Sequence, residues 1–260
     1  MRLLRVRKTE KALYGLIGYP LGHSFSKAYF NEKFEREGIN AEYENFPMPD
    51  LDALPQLIED NPRLKGLNVT IPHKQSILTH LTYLDRTAKL VGSVNTFKIL
   101  RSNNKITLIG YNTDVIGFVR TFDALIEPNT RNYALILGSG GGAKAVKYVL
   151  RERGIFFRSV STKKQKTDQI TYEMLNKALL DRFNIIINTT PVGMYPNIDD
   201  APKIPYEYIK PTHTMIDLVY NPEETLFLKY GRERGARTMN GLMMLHAQAE
   251  AAWQIWKKPE

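Results

Sequence analysis

A glycine-rich stretch near the middle of the chain has the spacing of a dinucleotide-binding turn. It follows the apolar residues 133–137, precedes a helix-like segment and reads Gly138, Ser139, Gly140, Gly141, Gly142, Ala143. Small residues at Gly138, Gly140 and Ala143 allow a tight turn and let backbone N–H groups approach a pyrophosphate at the positive end of the helix. The sequence therefore predicts a cradle for a dinucleotide, a cofactor class that carries hydride.

Lys74 and Asp114 each follow a stretch typical of a β-strand. Lys74 comes after residues 66–71 and a turn stiffened by Pro72, and Asp114 comes after residues 107–111. Ligands in open α/β sheets bind at the carboxyl ends of strands. A lysine and a carboxylate placed there can pass a proton to or from an alcohol or carbonyl oxygen while hydride moves. Taken singly, Lys74 also suits an ordinary first-turn lysine and Asp114 a helix N-cap.

The elements that would position these residues alternate in type along the chain. In the first part, the pattern predicts strands over 14–18, 41–46, 66–71, 93–100 and 107–111, and helices over 27–37, 50–59 and from His73 onward. A helix over 114–125 leads to a second part that restarts with strand 133–137, the glycine turn and a helix. Further strands are expected over 156–161, 184–188 and 214–218, and terminal helices over 224–234 and 241–256.

Strands interleaved with helices predict an α/β fold. We expect two domains with an active-site cleft between them. One is an N-terminal α/β substrate-binding domain with a mostly parallel sheet, formed by residues 1–113 plus 241–260. The other is a Rossmann-like, doubly wound domain over residues 114–240, which binds the dinucleotide.

Composition and charge exclude several classes of protein. Apolar residues make up 43% and aromatic residues 10% of the 260 positions, which is enough for real cores and excludes a disordered or collagen-like chain. The net charge of +9 fits a nucleic acid, an anionic ligand or a merely basic surface. Basic residues crowd positions 2–11 without the interleaved aromatics of single-strand binders, which favours a solvated tail. We expect no nucleic-acid partner.

The chain contains no cysteine, which excludes disulfides and thiolate metal sites and is compatible with the cytoplasm. No stretch approaches the roughly 18 to 20 apolar residues of a membrane span. The first residues also lack an apolar core followed by a small-residue cleavage site. We therefore expect a soluble cytoplasmic protein without a membrane partner. The five histidines show no metal-ligand spacing, so no metal is predicted. A monomer and a homodimer both remain open.

Ordered along almost the whole chain, the motifs resemble those of the shikimate dehydrogenase family. Besides the glycine turn, they are Gly18-x-Pro20-x-x-His23-Ser24-x-Ser26, Asn68-Val-Thr70-Ile-Pro72-x-Lys74, Gly92-Ser-Val-Asn95-Thr96, Asn112-Thr-Asp114, Asn188-Thr-Thr190-Pro191-x-Gly193-Met194, Asp217-Leu-Val-Tyr220-x-Pro222-x-x-Thr225 and Gly241-Leu-x-Met244-Leu245-x-x-Gln248. A chance match of so many ordered motifs is not credible.

The resemblance implies a role for each matching residue on the substrate side. Ser24 and Ser26 would hold the substrate carboxylate, with Tyr220 beside it. The ring hydroxyls would be bound by Asn68, Thr70, Lys74, Asn95, Asp114 and Gln248. Lys74 and Asp114 would also form the catalytic proton-transfer pair. Amides both donate and accept, as a hydroxylated ring requires, and a lysine stabilises negative charge on the reacting oxygen. Taken singly, the serines also suit a turn and Asn95 a strand end.

On the cofactor side, the resemblance adds Thr190, Gly241 and Met244 to the glycine turn, although Met244 also suits an apolar core. The strand after that turn ends in Ser161, Thr162 and Lys163, with further lysines and no acid before Asp168. An acid at this point binds the ribose of NAD, whereas basic residues accept the 2′-phosphate of NADP. We therefore predict NADP. The family usually has arginine where this chain has Thr162, and lysine lacks the planar fork of arginine, which weakens the expected discrimination.

The implied reaction is the reversible, NADPH-dependent reduction of 3-dehydroshikimate to shikimate in chorismate and aromatic amino acid biosynthesis. Two alternatives remain. One is a quinate/shikimate dehydrogenase that prefers NAD, and the other is a non-catalytic ligand-binding member of the fold. The presence of both Lys74 and Asp114 argues against the non-catalytic alternative.

Overall fold

The structure is a computed structural model that describes residues 10–22, 25–127, 131–162 and 169–259. The chain divides into two compact units, residues 1–111 with 252–260, and residues 112–251. Each unit is built around its own six-stranded sheet. In the described part of the chain, no helix is both long and apolar enough to cross a membrane.

The first unit alternates strands and helices in chain order. Its elements are β1 (Ala12–Gly18), α1 (Phe25–Arg36), β2 (Ala41–Pro47), α2 (Leu54–Asp60), β3 (Leu64–Val69), β4 (Tyr83–Leu84), α3 (Arg86–Val91), β5 (Thr96–Ser102) and β6 (Lys105–Tyr111). The strand order in the sheet is β2-β1-β3-β5-β6-β4.

The sheet of the first unit is mostly parallel, as predicted, with one antiparallel strand. Strand β1 runs parallel to β2 and β3, and β4 runs parallel to β6, but β5 is antiparallel to both of its neighbours. The turn between β5 and β6 contains Asn103 and Asn104, whose φ angles are 49° and 58°. Positive φ at two adjacent residues is typical of a tight hairpin, which reverses the chain without a crossover helix.

The helix expected from His73 onward is wrong. Residues 71–75 form turns, and a short 3₁₀ helix follows over Ser76–His80. The carbonyl of Lys74 accepts a hydrogen bond from the amide of Val94, and the amide of Leu78 donates to Gln75, three residues back. Because the Lys74 carbonyl accepts from Val94 and not from Leu78, four residues further on, the turn does not continue as an α-helix.

The second unit contains the remaining elements. They are α4 (Asp114–Leu125), β7 (Tyr133–Leu137), α5 (Gly141–Glu152), β8 (Phe156–Ser161), β9 (Gln169–Thr171), α6 (Lys177–Arg182), β10 (Ile185–Asn188), β11 (Thr214–Asp217), α7 (Leu226–Arg232), β12 (Arg237–Met239) and α8 (Leu242–Lys257). The last turns of α8 belong to the first unit.

The sheet of the second unit is entirely parallel in its described pairings, with the order β9-β8-β7-β10-β11-β12. Numbered from β7, this is the 3-2-1-4-5-6 order of a doubly wound dinucleotide-binding fold. The central strands β7 and β10 are fully buried along most of their length, as expected for parallel strands covered on both faces. The predicted Rossmann-like fold is confirmed.

The C-terminal helix α8 is shared by the two units. Its start packs with the second unit, where Gly241 lies against the backbone of Leu218 and Met244 lies against Gly117. Its end packs with the first unit, where Trp256 donates from Nε1 to the Phe97 carbonyl at 3.0 Å. The boundary in the structure therefore falls after residue 251, whereas the predicted division assigned all of 241–260 to the first domain.

Candidate active site

Several predicted substrate residues lie at the end of the first sheet where β3 finishes and β5 begins. Asn68 is the penultimate residue of β3, Thr70 directly follows that strand, and Asn95 directly precedes β5. Because β5 is antiparallel to β3, its start lies at the carboxyl end of β3, where Asn68 pairs with Thr96. Open α/β sheets bind ligands at the carboxyl ends of their strands, which is where these residues lie.

The side-chain amide of Asn68 is held by three neighbours. Its Oδ1 accepts a 2.8 Å hydrogen bond from the hydroxyl of Tyr43. Its Nδ2 donates to the carbonyl of Asn95 at 3.3 Å and to Oγ1 of Thr96 at 2.9 Å. Since an amide has two N–H groups and two oxygen lone pairs, one lone pair on Oδ1 is left to accept from a ligand hydroxyl.

The turn that carries Lys74 is anchored by its neighbour His73. The His73 ring is buried, and its Nε2 lies 2.6 Å from the carbonyl oxygen of Met48, so Nε2 carries the hydrogen and donates. The His73 amide donates to the Thr70 carbonyl. Lys74 itself is half-buried. The anchored turn therefore places Lys74 just beyond the strand end that carries Asn68 and Thr70.

Asp114 is buried at the first position of α4. The N-cap position is Thr113, and Oδ1 of Asn112 accepts a 3.3 Å hydrogen bond from the Val115 amide. Asp114 stands at the first helical position and is therefore not the N-cap residue.

The glycine turn in the second unit has the geometry of a nucleotide cradle. Gly138 has a φ of 107°, and a Cβ there would come within 3 Å of side chains of Thr189 and Thr190. At Gly140, the N-cap of α5, a Cβ would meet no atom within 4 Å. Ala143 is fully buried against the sheet. The turn thus requires glycine at position 138. At position 140 it leaves open space in front of the first N–H groups of α5.

Thr190 is fixed by a buried network behind the glycine turn. The Oδ1 of Asn188 accepts from the Thr190 amide at 3.0 Å and from its hydroxyl at 2.6 Å. The Nδ2 of Asn188 donates to Oδ1 of Asp217 at 3.0 Å. Burial raises the pKa of Asp217 to about 6, and the hydrogen bonds from Thr225, Val219 and Asn188 partly oppose this rise.

The strand that carries the predicted 2′-phosphate residues is present as expected. Ser161 is the last residue of β8, and Thr162 follows it and is exposed. Strand β8 is the neighbour of β7, which leads into the glycine turn. Thr162 therefore lies one strand away from the cradle, where the dinucleotide pattern places its ribose-binding residue.

Four more predicted residues lie in the second unit. Gly241 is buried, and its amide donates to the carbonyl of Val219 at 2.9 Å. Met244 is buried on α8, and Gln248 is half-buried one turn further on. Tyr220 is half-buried after β11, and burial raises its pKa above the ordinary value. Tyr220 and Gln248 thus belong to the second unit, although they were predicted to bind substrate.

Two predicted site residues, Ser24 and Lys163, lie outside the described residues, as do most of the basic positions at the start of the chain. Within the described ranges, no group of three or more histidine, aspartate and glutamate side chains could hold a metal ion.

Some residues that organise the site were not predicted. Tyr43, His73 and Asn188 each hold a predicted site residue or its loop through a hydrogen bond. Asn188 and Asp217 stand inside motifs that the sequence displays, so their positions could have been found. Tyr43 gives no such signal, because its partner Asn68 lies 25 residues away along the chain.

The parallel sheet with its strand order, glycine turn and open helix N-terminus defines a Rossmann-like dinucleotide-binding protein joined to a second α/β unit. Comparison with known proteins gives the family. The family model described as the shikimate dehydrogenase substrate binding domain matches residues 16–97. The shikimate dehydrogenase (NADP(+)) of Methanococcus maripaludis is 41% identical, with 97% of this chain and 94% of that protein covered.

Solved structures agree. A shikimate dehydrogenase in complex with NADP+ superposes with a TM-score of 0.82 at 34% identity, covering 96% of this chain and 91% of that one. The shikimate 5-dehydrogenase of Thermus thermophilus, in complex with NADP(H) and shikimate, gives a TM-score of 0.79 at 30% identity, covering 94% and 93%. The chain belongs to the shikimate dehydrogenase family, which confirms the resemblance found in the sequence.

Proposed function

We propose that this protein is an NADP-dependent oxidoreductase acting on a CH–OH group, which reversibly reduces 3-dehydroshikimate to shikimate in chorismate and aromatic amino acid biosynthesis. The observation that carries the proposal is the match over nearly the full length to NADP-dependent shikimate dehydrogenases. Lys74 and Asp114, the pair that the chemistry requires, are both present in the chain.

The glycine turn fits a dinucleotide. The space in front of Gly140 is open, and the first N–H groups of α5 face a turn whose residues present no acidic side chain. Residues Gly138 to Ala143 would hold the pyrophosphate, and Thr190, Gly241 and Met244 would border the nicotinamide half. Ser161, Thr162 and Lys163 would border the adenosine ribose. When bound, NADPH supplies the hydride.

The residues of the chain have distinct tasks in this reaction. Lys74 stabilises negative charge on the ring oxygen and delivers its proton, and Asp114 takes part in the proton transfer. Asn68, with its remaining Oδ1 lone pair, accepts from a ring hydroxyl. The other ring contacts come from Thr70, Asn95 and Gln248. Ser24, Ser26 and Tyr220 bind the carboxylate.

The experiment that tests the proposal is a matrix of steady-state rates with shikimate and quinate, each with NADP+ and NAD+. We expect the highest kcat/KM for shikimate with NADP+. A higher kcat/KM for quinate with NAD+ would favour the quinate/shikimate alternative. No turnover in any of the four combinations, together with measurable shikimate binding, would favour the non-catalytic alternative.

We also propose a cytoplasmic location, small-molecule partners only, and a monomeric or homodimeric state. The lack of cysteine is compatible with a reducing compartment. Light scattering at several concentrations distinguishes the two oligomeric states. Oligonucleotide binding that weakens linearly in log affinity against log salt would contradict the absence of a nucleic-acid partner.

A further inference from the structure

Tyr43, in β2, lies next to two of the proposed substrate residues, Asn68 and Ser26. Its hydroxyl donates to Oδ1 of Asn68 at 2.8 Å. The side chain of Ser26, in α1, lies near the same hydroxyl. Because the single phenolic hydrogen points to Asn68, the Tyr43 oxygen is an acceptor toward Ser26. The side chain of Tyr43 is completely buried, so Tyr43 acts on a ligand only through these neighbours.

The ring of Tyr43 is fixed in place. It stacks on Phe30 with centroids 4.7 Å apart and an interplanar angle of 12°, and Trp256 lies beside it at 6.4 Å. Asn31 holds its backbone from α1, accepting from the Tyr43 amide at 2.9 Å and donating to the Tyr43 carbonyl at 3.0 Å. The same contacts fix helix α1, which carries Ser26, against β2.

The Tyr43 hydroxyl is suited to act as a permanent hydrogen-bond donor. Burial raises the pKa of Tyr43 well above its ordinary value, so the phenol stays protonated over the working pH range. The amide of Asn68 is then oriented from three sides, with Nδ2 toward Asn95 and Thr96 and Oδ1 toward Tyr43. Its free lone pair is directed before any ligand arrives, and such preorganisation lowers the cost of binding.

We propose that Tyr43 is a positioning residue for substrate binding, whose buried hydroxyl orients the Asn68 amide as an acceptor. The proposal rests on the proposed function, since Asn68 is taken as a substrate residue.

The test is Tyr43→Phe, which removes one oxygen and keeps the stacked ring. The matched control is Tyr14→Phe, because Tyr14 in β1 is also buried and stacks on Trp256 at 4.9 Å. Among the hydrogen bonds of the described residues, none joins Tyr14 to Asn68 or Ser26. Losing one orienting hydrogen bond should raise the KM for shikimate about 3- to 10-fold in Tyr43→Phe. The KM for NADP+ should stay unchanged, and Tyr14→Phe should retain both wild-type values.

A double-mutant cycle separates positioning from general stability. In an Asn68→Ala background, Tyr43→Phe should add less than about a twofold change in the KM for shikimate, because its main target is gone. The proposal is overturned by an unchanged KM in Tyr43→Phe, by equal changes in the two phenylalanine variants, or by a full effect in the Asn68→Ala background. It is also overturned if Tyr43→Phe fails to fold while Tyr14→Phe folds, because the hydroxyl then serves the fold.

Wild-type turnover of shikimate is measured first. An inactive wild type would overturn the proposed function, and this inference with it. An active wild type with an unaffected Tyr43→Phe would overturn the inference alone.

Discussion

Asp217 and Thr225 share a 2.6 Å hydrogen bond inside the second unit, from the threonine hydroxyl to Oδ2 of the carboxylate. The other carboxylate oxygen accepts from Nδ2 of Asn188 and from the amide of Val219, both at 3.0 Å. Asp217 is fully buried and thereby joins the ends of β10 and β11 to the start of α7. Through Asn188 it also fixes Thr190, next to the glycine turn.

The buried carboxylate of Asp217 should make stability depend on pH. Its pKa is about 6 in the folded protein and near 3.8 when exposed, so between these values the folded state binds more protons than the unfolded state. Stability from this group is therefore lost as pH rises through about 4 to 6. We expect Asp217 to make the wild type about 1.4 kcal/mol more stable at pH 5 than at pH 7, relative to a variant that cannot titrate.

Asp217→Asn is that variant. An asparagine can accept from Asn188 and Val219 through Oδ1 and donate to the Thr225 hydroxyl through Nδ2, so the contacts of the carboxylate are replaced. Urea unfolding of both proteins at pH 5 and pH 7 measures the difference, in which the titration of all other groups cancels. A difference in unfolding free energy that is the same at both pH values would contradict the buried, partly protonated carboxylate.

Gly138 and Gly140 should respond differently to the same alanine substitution. At Gly138, the positive φ and the contacts with Thr189 and Thr190 should cost about 2 kcal/mol or more of folding stability. At Gly140, where a Cβ meets open space, the loss should stay within about 1 kcal/mol. The new methyl group at position 140 would instead occupy room needed by the pyrophosphate, so the Kd for NADPH should rise at least about tenfold.

Urea unfolding and a fluorescence titration with NADPH measure these two effects separately. Equal stability losses in the two variants would show that Gly138 is not conformationally required. Wild-type NADPH affinity in Gly140→Ala would place the pyrophosphate elsewhere.

The second unit could be predicted from the sequence more fully than the first. Its strands are short apolar runs that alternate with helices, and the glycine turn fixes the start of the unit. In the first unit, the mostly parallel sheet is predicted correctly, but the reversed direction of β5 is not predicted. The Asn103-Asn104 turn between β5 and β6 is a local hairpin signal, because positive φ at two adjacent residues is typical of a tight turn.

The site residues divide into those that the sequence predicts and those that only the folded structure reveals. Polar residues at strand ends, such as Asn68 and Lys74, are visible in the sequence because the strand pattern ends there. The residues that orient them depend on contacts distant in sequence. Tyr43 in β2 meets Asn68 in β3 across the one intervening strand β1, and His73 meets Met48 from a turn that the local pattern assigns to a helix. Such partners become visible only when the chain is folded.

Thr162→Arg should strengthen the preference for NADP. Thr162 is exposed directly after β8, where an arginine would offer a planar, bidentate partner to a 2′-phosphate. We expect the KM for NADP+ to fall about 3- to 10-fold while the KM for NAD+ stays unchanged. Thr212→Arg, at another exposed threonine of the same unit, adds the same charge and serves as the control. A fall of similar size in the control would assign the effect to long-range attraction rather than to Thr162.

Lys74→Ala should abolish most of the catalytic rate while leaving cofactor binding intact. If Lys74 transfers the proton, its loss should lower kcat by a factor of about 10² to 10⁴. The KM for NADP+ should change little, because Lys74 is not among the residues proposed to hold the cofactor. Lys89→Ala removes an exposed lysine of α3 in the same unit and should keep wild-type kinetics. Asp114→Asn should lower kcat about as much as Lys74→Ala does. The double variant should be little worse than either single one, because both residues serve the same proton transfer. Near-normal turnover in Lys74→Ala would remove Lys74 from the mechanism and require another proton donor.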